Sequence, residues 1–204
     1  VKVNALNKEI EVLNEKAASI DNNIQISLDI NLQKYIQEIF TGKSGAVVVM
    51  DVNNGELLAS ASFPEFDNNI FARGISVKEW NEMRNDFNHP FTNKIINGLY
   101  PPGSVIKMGV ALSFLDNGIG DNYNVNCSGS LTIGNRNFRC WKSTGHGSVN
   151  FRKAIAESCD DFFYKGSLKI GINKISQTLD KLGFGQQSGV DQINEFFGVN
   201  PNKE

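Results

Sequence analysis

The stretch that most constrains this chain is a rigid Tyr100-Pro-Pro-Gly103 entry, then Ser104-Val-Ile-Lys107, then the apolar run Met108-Gly-Val-Ala-Leu-Ser-Phe-Leu115. A helix that is apolar on every side has to be buried, and Asp116-Asn-Gly118 supplies its glycine stop. The fold must therefore wrap a core around a helix whose first turn carries Ser104 and Lys107. Residues three apart share one helical face, with Cβ atoms about 5–6 Å apart, so the hydroxyl and the amine can meet. A serine hydroxyl is a poor nucleophile at neutral pH. A lysine stripped of water at a buried helix start can lose its proton and take the one from serine. The backbone N–H groups of the same helix start are placed to hold an oxyanion.

A bare S-x-x-K is expected about once by chance in a chain this long. Alone it reads as a serine N-cap with a surface lysine one turn on. Here it occurs only at Ser104, with Pro-Pro-Gly before it and the apolar helix behind it, and that context favours a nucleophile with its base.

Composition removes several function classes. A chain of 204 residues suits one sizeable domain plus an appendage. Apolar residues at 40% and charged residues at 21% are those of a soluble globular protein. The net charge of −2 gives no basic stripe for nucleic acid, and no apolar run approaches the roughly 18 residues a membrane helix needs. The first residue is Val, so the chain is expected to be a soluble piece of a longer protein. Three cysteines cannot all pair within the chain.

Val3, Leu6, Ile10 and Leu13 repeat at helical spacing and predict a short amphipathic helix, with a strand-rich linker as the alternative. Ala17 to Asn23 is small and polar, a boundary between appendage and domain. Ile24 to Asp29 alternates like an exposed strand, and Leu32, Tyr35, Ile36, Ile39 and Phe40 share a helical face. Gly45 to Asp51 and Glu56 to Ala61, joined by the turn Asn53-Asn-Gly55, predict a hairpin buried on both sides. Ser76-Val-Lys-Glu79 is a capping box opening a short helix through Trp80 and Met83. Ile119 to Asn150, rich in Gly, Asn and Ser, is expected to be irregular and to need a clamp. Helices follow over Phe151–Glu157, Phe162–Ile170 and Ile172–Leu182, the last two stopped by Gly171 and Gly183, before a loop-like tail from Gly185.

Between the first two of these helices stands Ser158-Cys159-Asp160. A hydroxyl and a carboxylate presented at a helix break can relay a proton to a leaving group. With this second motif in view, the sequence resembles the penicillin-binding transpeptidases, whose active sites combine S-x-x-K, S-x-[ND] and K-[ST]-G. It is most similar to the elongation-type class B members. Gly45-Ala-Val-Val-Val-Met-Asp51, Gly55 to Pro64, Pro90-Phe-Thr-Asn-Lys94, Trp141-Lys-Ser-Thr-Gly-His-Gly147 and Gly183-Phe-Gly185 carry the likeness further, in the family's order.

The resemblance implies an α+β fold, an antiparallel sheet packed with helices plus an all-helical subdomain, here incomplete. Residues 1–22 would end a membrane-proximal pedestal, and residues 23–204 would belong to the transpeptidase domain. It implies that Ser104 attacks the penultimate D-Ala carbonyl of a peptidoglycan stem peptide, that Lys107 is its base and that Ser158 shuttles the proton. Asp160 stands where many relatives carry Asn, keeping an acceptor but losing an amide donor. β-Lactams would acylate Ser104. A glycan polymerase of the SEDS family (RodA-type) and the MreC scaffold protein are the implied partners, and the bacterial periplasm, under an inner-membrane anchor, is the implied location. A serine β-lactamase or β-lactam sensor on the same fold, or a non-catalytic module docking a scaffold, are the alternatives.

Several short matches are decoys. Ser148-Val-Asn150 lacks the aromatic-led helix that follows Ser158. Lys43-Ser-Gly45 precedes the nucleophile, and Gln37 stands where a phosphate loop needs glycine. After Ser158, Lys169-Ile-Gly171 and Lys181-Leu-Gly183 lack the hydroxyl, so the third motif is absent from this sequence and the expected site is incomplete. His89 reads as a turn residue, and Phe162, Phe163 and Tyr164 as core.

Cys127, Cys140, His146 and Cys159 read C-x12-C-x5-H-x12-C and use every cysteine and one of two histidines. All lie in or beside the segment expected to need a clamp. Soft thiolates with an imidazole suit tetrahedral zinc, and four protein ligands make such a site structural. The competing reading is three buried thiols, or one disulfide and a free thiol, with His146 as a loop hydrogen-bonder. Some elongation-type relatives resemble this arrangement, with Asp replacing thiols around a metal, which favours zinc.

Overall fold

The computed structural model describes residues 2–6, 8–11 and 23–203. The chain divides into two compact units, 1–41 with 47–61, and 42–46 with 62–204.

In the first unit, β1 (Lys2–Val3) and β2 (Glu9–Glu11) pair antiparallel, Lys2 opposite Glu11. The helix predicted on Val3, Leu6 and Ile10 is thus a hairpin, and Leu13 lies outside the described residues. The Asn4 side chain decides the difference by accepting from the Leu6 and Lys8 N–H groups at 2.9 and 3.0 Å, a turn that short polar side chains favour. The apolar stripe is left exposed. Of the predicted boundary Ala17 to Asn23, only Asn23 is described.

Helix α1 (Ile30–Phe40) starts at Asp29, whose carboxylate accepts from the N–H groups of Asn31 and Leu32. Strands β3 (Gly45–Met50) and β4 (Leu57–Phe63) form the predicted hairpin. The Gln33 amide joins helix to strand, donating to Ser60 O at 3.1 Å and accepting from Ser60 N–H at 2.9 Å. Burial on both sides is not found. Residues of β3 alternate half-buried and exposed, with Val48 and Met50 in solvent, because the pleat of a two-stranded sheet turns one face outward. The strand expected over Ile24 to Asp29 is irregular, held beside β4 by Asp29 N–H to Leu58 O and Ser27 Oγ to Leu57 O.

The second unit opens with α2 (Asn69–Ala72) and α3 (Val77–Arg84), the latter started by the predicted capping box between Ser76 and Glu79. A 3-10 turn over Gly103–Ile106 leads into α4 (Lys107–Asp116). The segment expected to be irregular instead forms four short strands. β5 (Val125–Cys127) pairs antiparallel with β8 (Gly147–Val149), and β6 (Ser130–Ile133) with β7 (Arg136–Arg139). Only alternate residues face inward, so buried Val125 and Cys127 flank exposed Asn126 and the apolar signal stays thin. Helices α5 (Phe151–Ala156), α6 (Asp160–Ile170) and α7 (Ile172–Lys181) follow as predicted. The tail is irregular, pinned by Phe196 N–H to Ile96 O and Asn200 Nδ2 to Ser176 O, both 2.8 Å.

Helices α4, α6 and α7 pack on one another around Phe114 and Phe162, both fully buried. Phe163 stacks on Phe114 with ring centroids 5.6 Å apart. Through Phe163 this aromatic group reaches Lys107, in the first turn of α4.

Candidate active site and cysteine–histidine cluster

The 3-10 turn places Ser104 in solvent and Lys107 at the first position of α4, half-buried. From there the Lys107 Nζ crosses to the α5–α6 junction. It donates to Ser158 O at 2.9 Å, Ser158 Oγ at 3.0 Å and Asp160 Oδ1 at 2.5 Å, and it lies 5.4 Å from the Phe163 ring centroid. Three donated bonds use all three protons of an ammonium. The structure thus brings Lys107, Ser158 and Asp160 together. It gives the Ser104 side chain no hydrogen bond among the described residues, so the contact expected between hydroxyl and amine is not made in this arrangement.

Asp160 is engaged at both oxygens, since its Oδ2 accepts from Trp141 N–H at 3.0 Å. Ser158 holds φ of +50°, the left-handed region that side-chain-bearing residues rarely enter. Such conformations persist where the surroundings over-determine them and cluster at functional sites. Here the tight α5–α6 junction supplies that constraint, with Ser158 N–H to Ile155 O and Cys159 N–H to Ala154 O.

Cys159, between Ser158 and Asp160, points the other way. It is fully buried, and its sulfur joins Cys127, Cys140 and His146 in a cluster whose donor atoms all lie within 4.8 Å of one another. His146 Nδ1 is 3.5 Å from both Cys127 Sγ and Cys140 Sγ. Zinc bonds of about 2.3 Å to sulfur and about 2.0–2.1 Å to nitrogen, at tetrahedral angles, separate a sulfur and a nitrogen by about 3.5 Å. The donor set therefore fits zinc in chemistry, and these two nitrogen–sulfur spacings match it. All three cysteines are free thiols. Burial pushes the Cys159 thiol up to about 12, and the Cys127 and Cys140 groups beside it add to the rise.

Two crossing loops make the cluster possible. Gly129 and Gly145 sit at φ of +98° and +77°, and a Cβ on Gly145 would stand 2.2 Å from Cys127 O, so only glycine lets the backbone of β5 meet the turn before His146. Lys153 holds the same turn through Nζ bonds to His146 O at 3.0 Å and Ser148 O at 3.1 Å. Sequence reasoning passed over the individual roles of Trp141 and Glu157. Trp141 bonds Asp160, packs its ring edgewise on His146 with centroids 5.2 Å apart, and donates from Nε1 to Glu157 O at 2.9 Å. The available signal was adjacency alone: one follows Cys140 and the other precedes Ser158.

The decoys are structural. Ser148 lies in β8 and Asn150 caps α5 by accepting from Lys153 N–H, while Ser44 Oγ donates to Phe63 O. His89 takes a turn conformation at φ of +48°. A cavity of about 1300 Å³ is walled by Pro101, Pro102 and Ile106 on one side and Leu179 and Phe197 on another, but not by Ser104, Lys107, Ser158 or Asp160.

Residues 45–204 match the family described as the penicillin binding protein transpeptidase domain. The chain belongs to this transpeptidase family. It is 37% identical over 207 residues to the peptidoglycan D,D-transpeptidase MrdA of Acinetobacter baumannii, covering all of this chain and 31% of that protein. PBP2 of Helicobacter pylori, solved alone and in a complex with MreC, aligns at a TM-score of 0.84 and 48% identity, over 98% of this chain and 39% or 38% of that one. Pseudomonas aeruginosa PBP2 in complex with WCK 5153 aligns at 0.79 and 35% identity, over 86% of this chain and 39% of that one. The α+β transpeptidase fold expected from sequence is thereby shown. The chain spans about a third of the length of the curated relatives it matches, and no helix among the described residues is long and apolar enough to cross a membrane.

Proposed function

We propose that this chain carries the acylation centre of a peptidoglycan D,D-transpeptidase that cross-links stem peptides during cell-wall elongation. The meeting of Lys107 with Ser158 and Asp160 beside the Ser104 turn carries the reading. Ser104 Oγ attacks the penultimate D-Ala carbonyl, the C–N bond to the terminal D-Ala breaks, and an amine from a neighbouring stem then displaces Ser104 to form the cross-link. At rest Lys107 donates three N–H bonds, so it gives up one proton, to Asp160 Oδ1 or to solvent, before it takes the one from Ser104. Ser158 Oγ, at 3.0 Å from the Lys107 amine, is the hydroxyl positioned to pass the proton taken from Ser104 on to the leaving amine. Asp160 and the Phe163 ring hold the amine in place meanwhile. β-Lactams acylate Ser104 as substrate mimics.

Cys127, Cys140, His146 and Cys159 hold a structural zinc ion in this reading, supported by the donor set and the 3.5 Å spacings. When bound, the ion supplies a cross-link that fixes Cys159, and so the backbone between Ser158 and Asp160. The Helicobacter pylori relative, solved with MreC, makes an MreC-type scaffold the proposed partner, alongside a RodA-type glycan polymerase. The proposed location is the periplasm, in a protein anchored in the bacterial inner membrane, with residues 1–22 ending its pedestal and 23–204 in the transpeptidase domain.

The test is intact-mass measurement after benzylpenicillin on a chimera in which this chain replaces the matching part of Helicobacter pylori PBP2. One penicillin adduct is expected, and none with Ser104→Ala. A folded chimera that takes no adduct, or labelling that survives Ser104→Ala, overturns the assignment.

A further inference from the structure

Three buried side-chain polar atoms among the described residues lack a hydrogen-bond partner, and one of them, His146 Nε2, lies 3.9 Å from Glu157 Oε2. The His146 side chain is 1% exposed while the Glu157 side chain is 41% exposed, so the ring is fixed and the carboxylate is free to rotate. His146 turns Nδ1 to the sulfurs of Cys127 and Cys140. A neutral imidazole carries one lone pair and one proton on its two nitrogens. A nitrogen that ligates a cation must offer the lone pair, which leaves the proton on Nε2, facing Glu157.

The surroundings leave that role to Glu157. Trp141 closes one side of the His146 ring and clamps the Glu157 backbone through its indole N–H. Lys153 is occupied by the carbonyls of His146 and Ser148, and Asp160 by Lys107 and Trp141. The Glu157 carboxylate has no other hydrogen-bond or ion-pair partner among the described residues. A separation of 3.9 Å exceeds an N–H···O bond by about 1 Å, a gap that a side-chain rotation closes.

We propose that Glu157 is a positioning residue for the metal cluster: its carboxylate accepts the Nε2 proton of His146, fixing the tautomer and ring orientation in which Nδ1 binds zinc. The inference rests on the zinc reading above and goes beyond it by naming what aims the imidazole. Carboxylates that receive the second proton of a ligating histidine raise its basicity, and their loss costs metal affinity. Because Glu157 precedes Ser158 and Cys159 follows it, the cluster reaches the second catalytic motif through both neighbours of Ser158.

The experiment titrates the metal-free full chain with zinc against a chromophoric chelator, for the unmodified protein, Glu157→Gln and Glu157→Ala. Glu157→Ala is expected to lose about 10–100-fold in zinc affinity. Glu157→Gln should keep part of it, because the amide oxygen still accepts. Cobalt(II) replacing zinc gives a readout independent of activity, and its thiolate charge-transfer and d–d bands should shift in Glu157→Ala. Zinc affinity and cobalt spectrum both unchanged in Glu157→Ala would overturn the role of Glu157 while leaving the zinc site standing. Failure of the unmodified chain to bind zinc would overturn both.

Discussion

Asp160→Asn tests the site most sharply, because the change is small in volume and the structure says what it removes. Asp160 accepts at both oxygens, from Lys107 Nζ at Oδ1 and from Trp141 N–H at Oδ2. An asparagine has one oxygen and two N–H donors. Whichever way its amide is turned, either Lys107 or Trp141 N–H faces another donor. The side chains of Lys107 and Asp160 are 13% and 19% exposed, so the full penalty for breaking a buried pair does not apply. The loss is that of one charge-assisted hydrogen bond, about 1.5–3 kcal/mol, which for a chain of this size corresponds to a fall in Tm of about 3–12 °C. Thermal unfolding followed by circular dichroism, at one ionic strength and in the metal-free state, measures it. A Tm within about 1 °C of the unmodified chain would show that Asp160 does not bear on both groups, and the description of a doubly engaged carboxylate would have to be dropped.

Removing metal with a chelator should lower the rate of penicillin acylation at Ser104 in the chimera, because Cys159 sits between Ser158 and Asp160; labelling unchanged after verified zinc loss would refute that coupling. Gly145→Ala should destabilise the chain by more than about 1 kcal/mol, since its Cβ would stand 2.2 Å from Cys127 O at φ of +77°, and chemical denaturation reads it. Phe162→Ala, at a fully buried ring, should cost about 3–5 kcal/mol in the same assay. The Glu79 carboxyl is held below its ordinary value of 4.5, chiefly by the Ser76 hydroxyl. Below pH 4.5 the unfolded chain takes up that proton first, so the stability difference between Glu79→Gln and the unmodified chain should be present at pH 7 and fade as the pH falls through 4.5 and lower.

Elements that bury a stripe or carry their own caps were readable in advance. The run after Ser104, the capping box at Ser76 and the glycines after α6 and α7 state their structure locally, and the helices lie where those signals put them. Residues 119–150 were not readable, because their strands are three or four residues long and bury few side chains, alternate ones in β5 and a single one in β8. The amino-terminal hairpin agrees with the strand-rich alternative and not with the predicted helix, because Val3, Leu6 and Ile10 mimic a helical face while Asn4, a turn former, decides the matter. At the site, spacing in the sequence named the participants but not their pairing. Lys107 was expected to face Ser104 one turn back, and it reaches instead across more than fifty residues of chain to Ser158 and Asp160. Contacts between distant segments leave no periodic trace, so the way Trp141 ties the two clusters shows only in the fold.

Helix α6 begins with no slack. Ser158 and Cys159 before it and Asp160 at its first position present, in strict succession, a hydroxyl to the amine, a sulfur to the interior and a carboxylate back to the amine. A single inserted or deleted residue there would swap those duties between the two sides of the backbone. For inhibitor chemistry, the same geometry makes the inner sulfur a remote handle on the outer hydroxyl, so under the zinc reading proposed above a compound that strips the interior cluster would disturb Ser158 and Asp160 from behind.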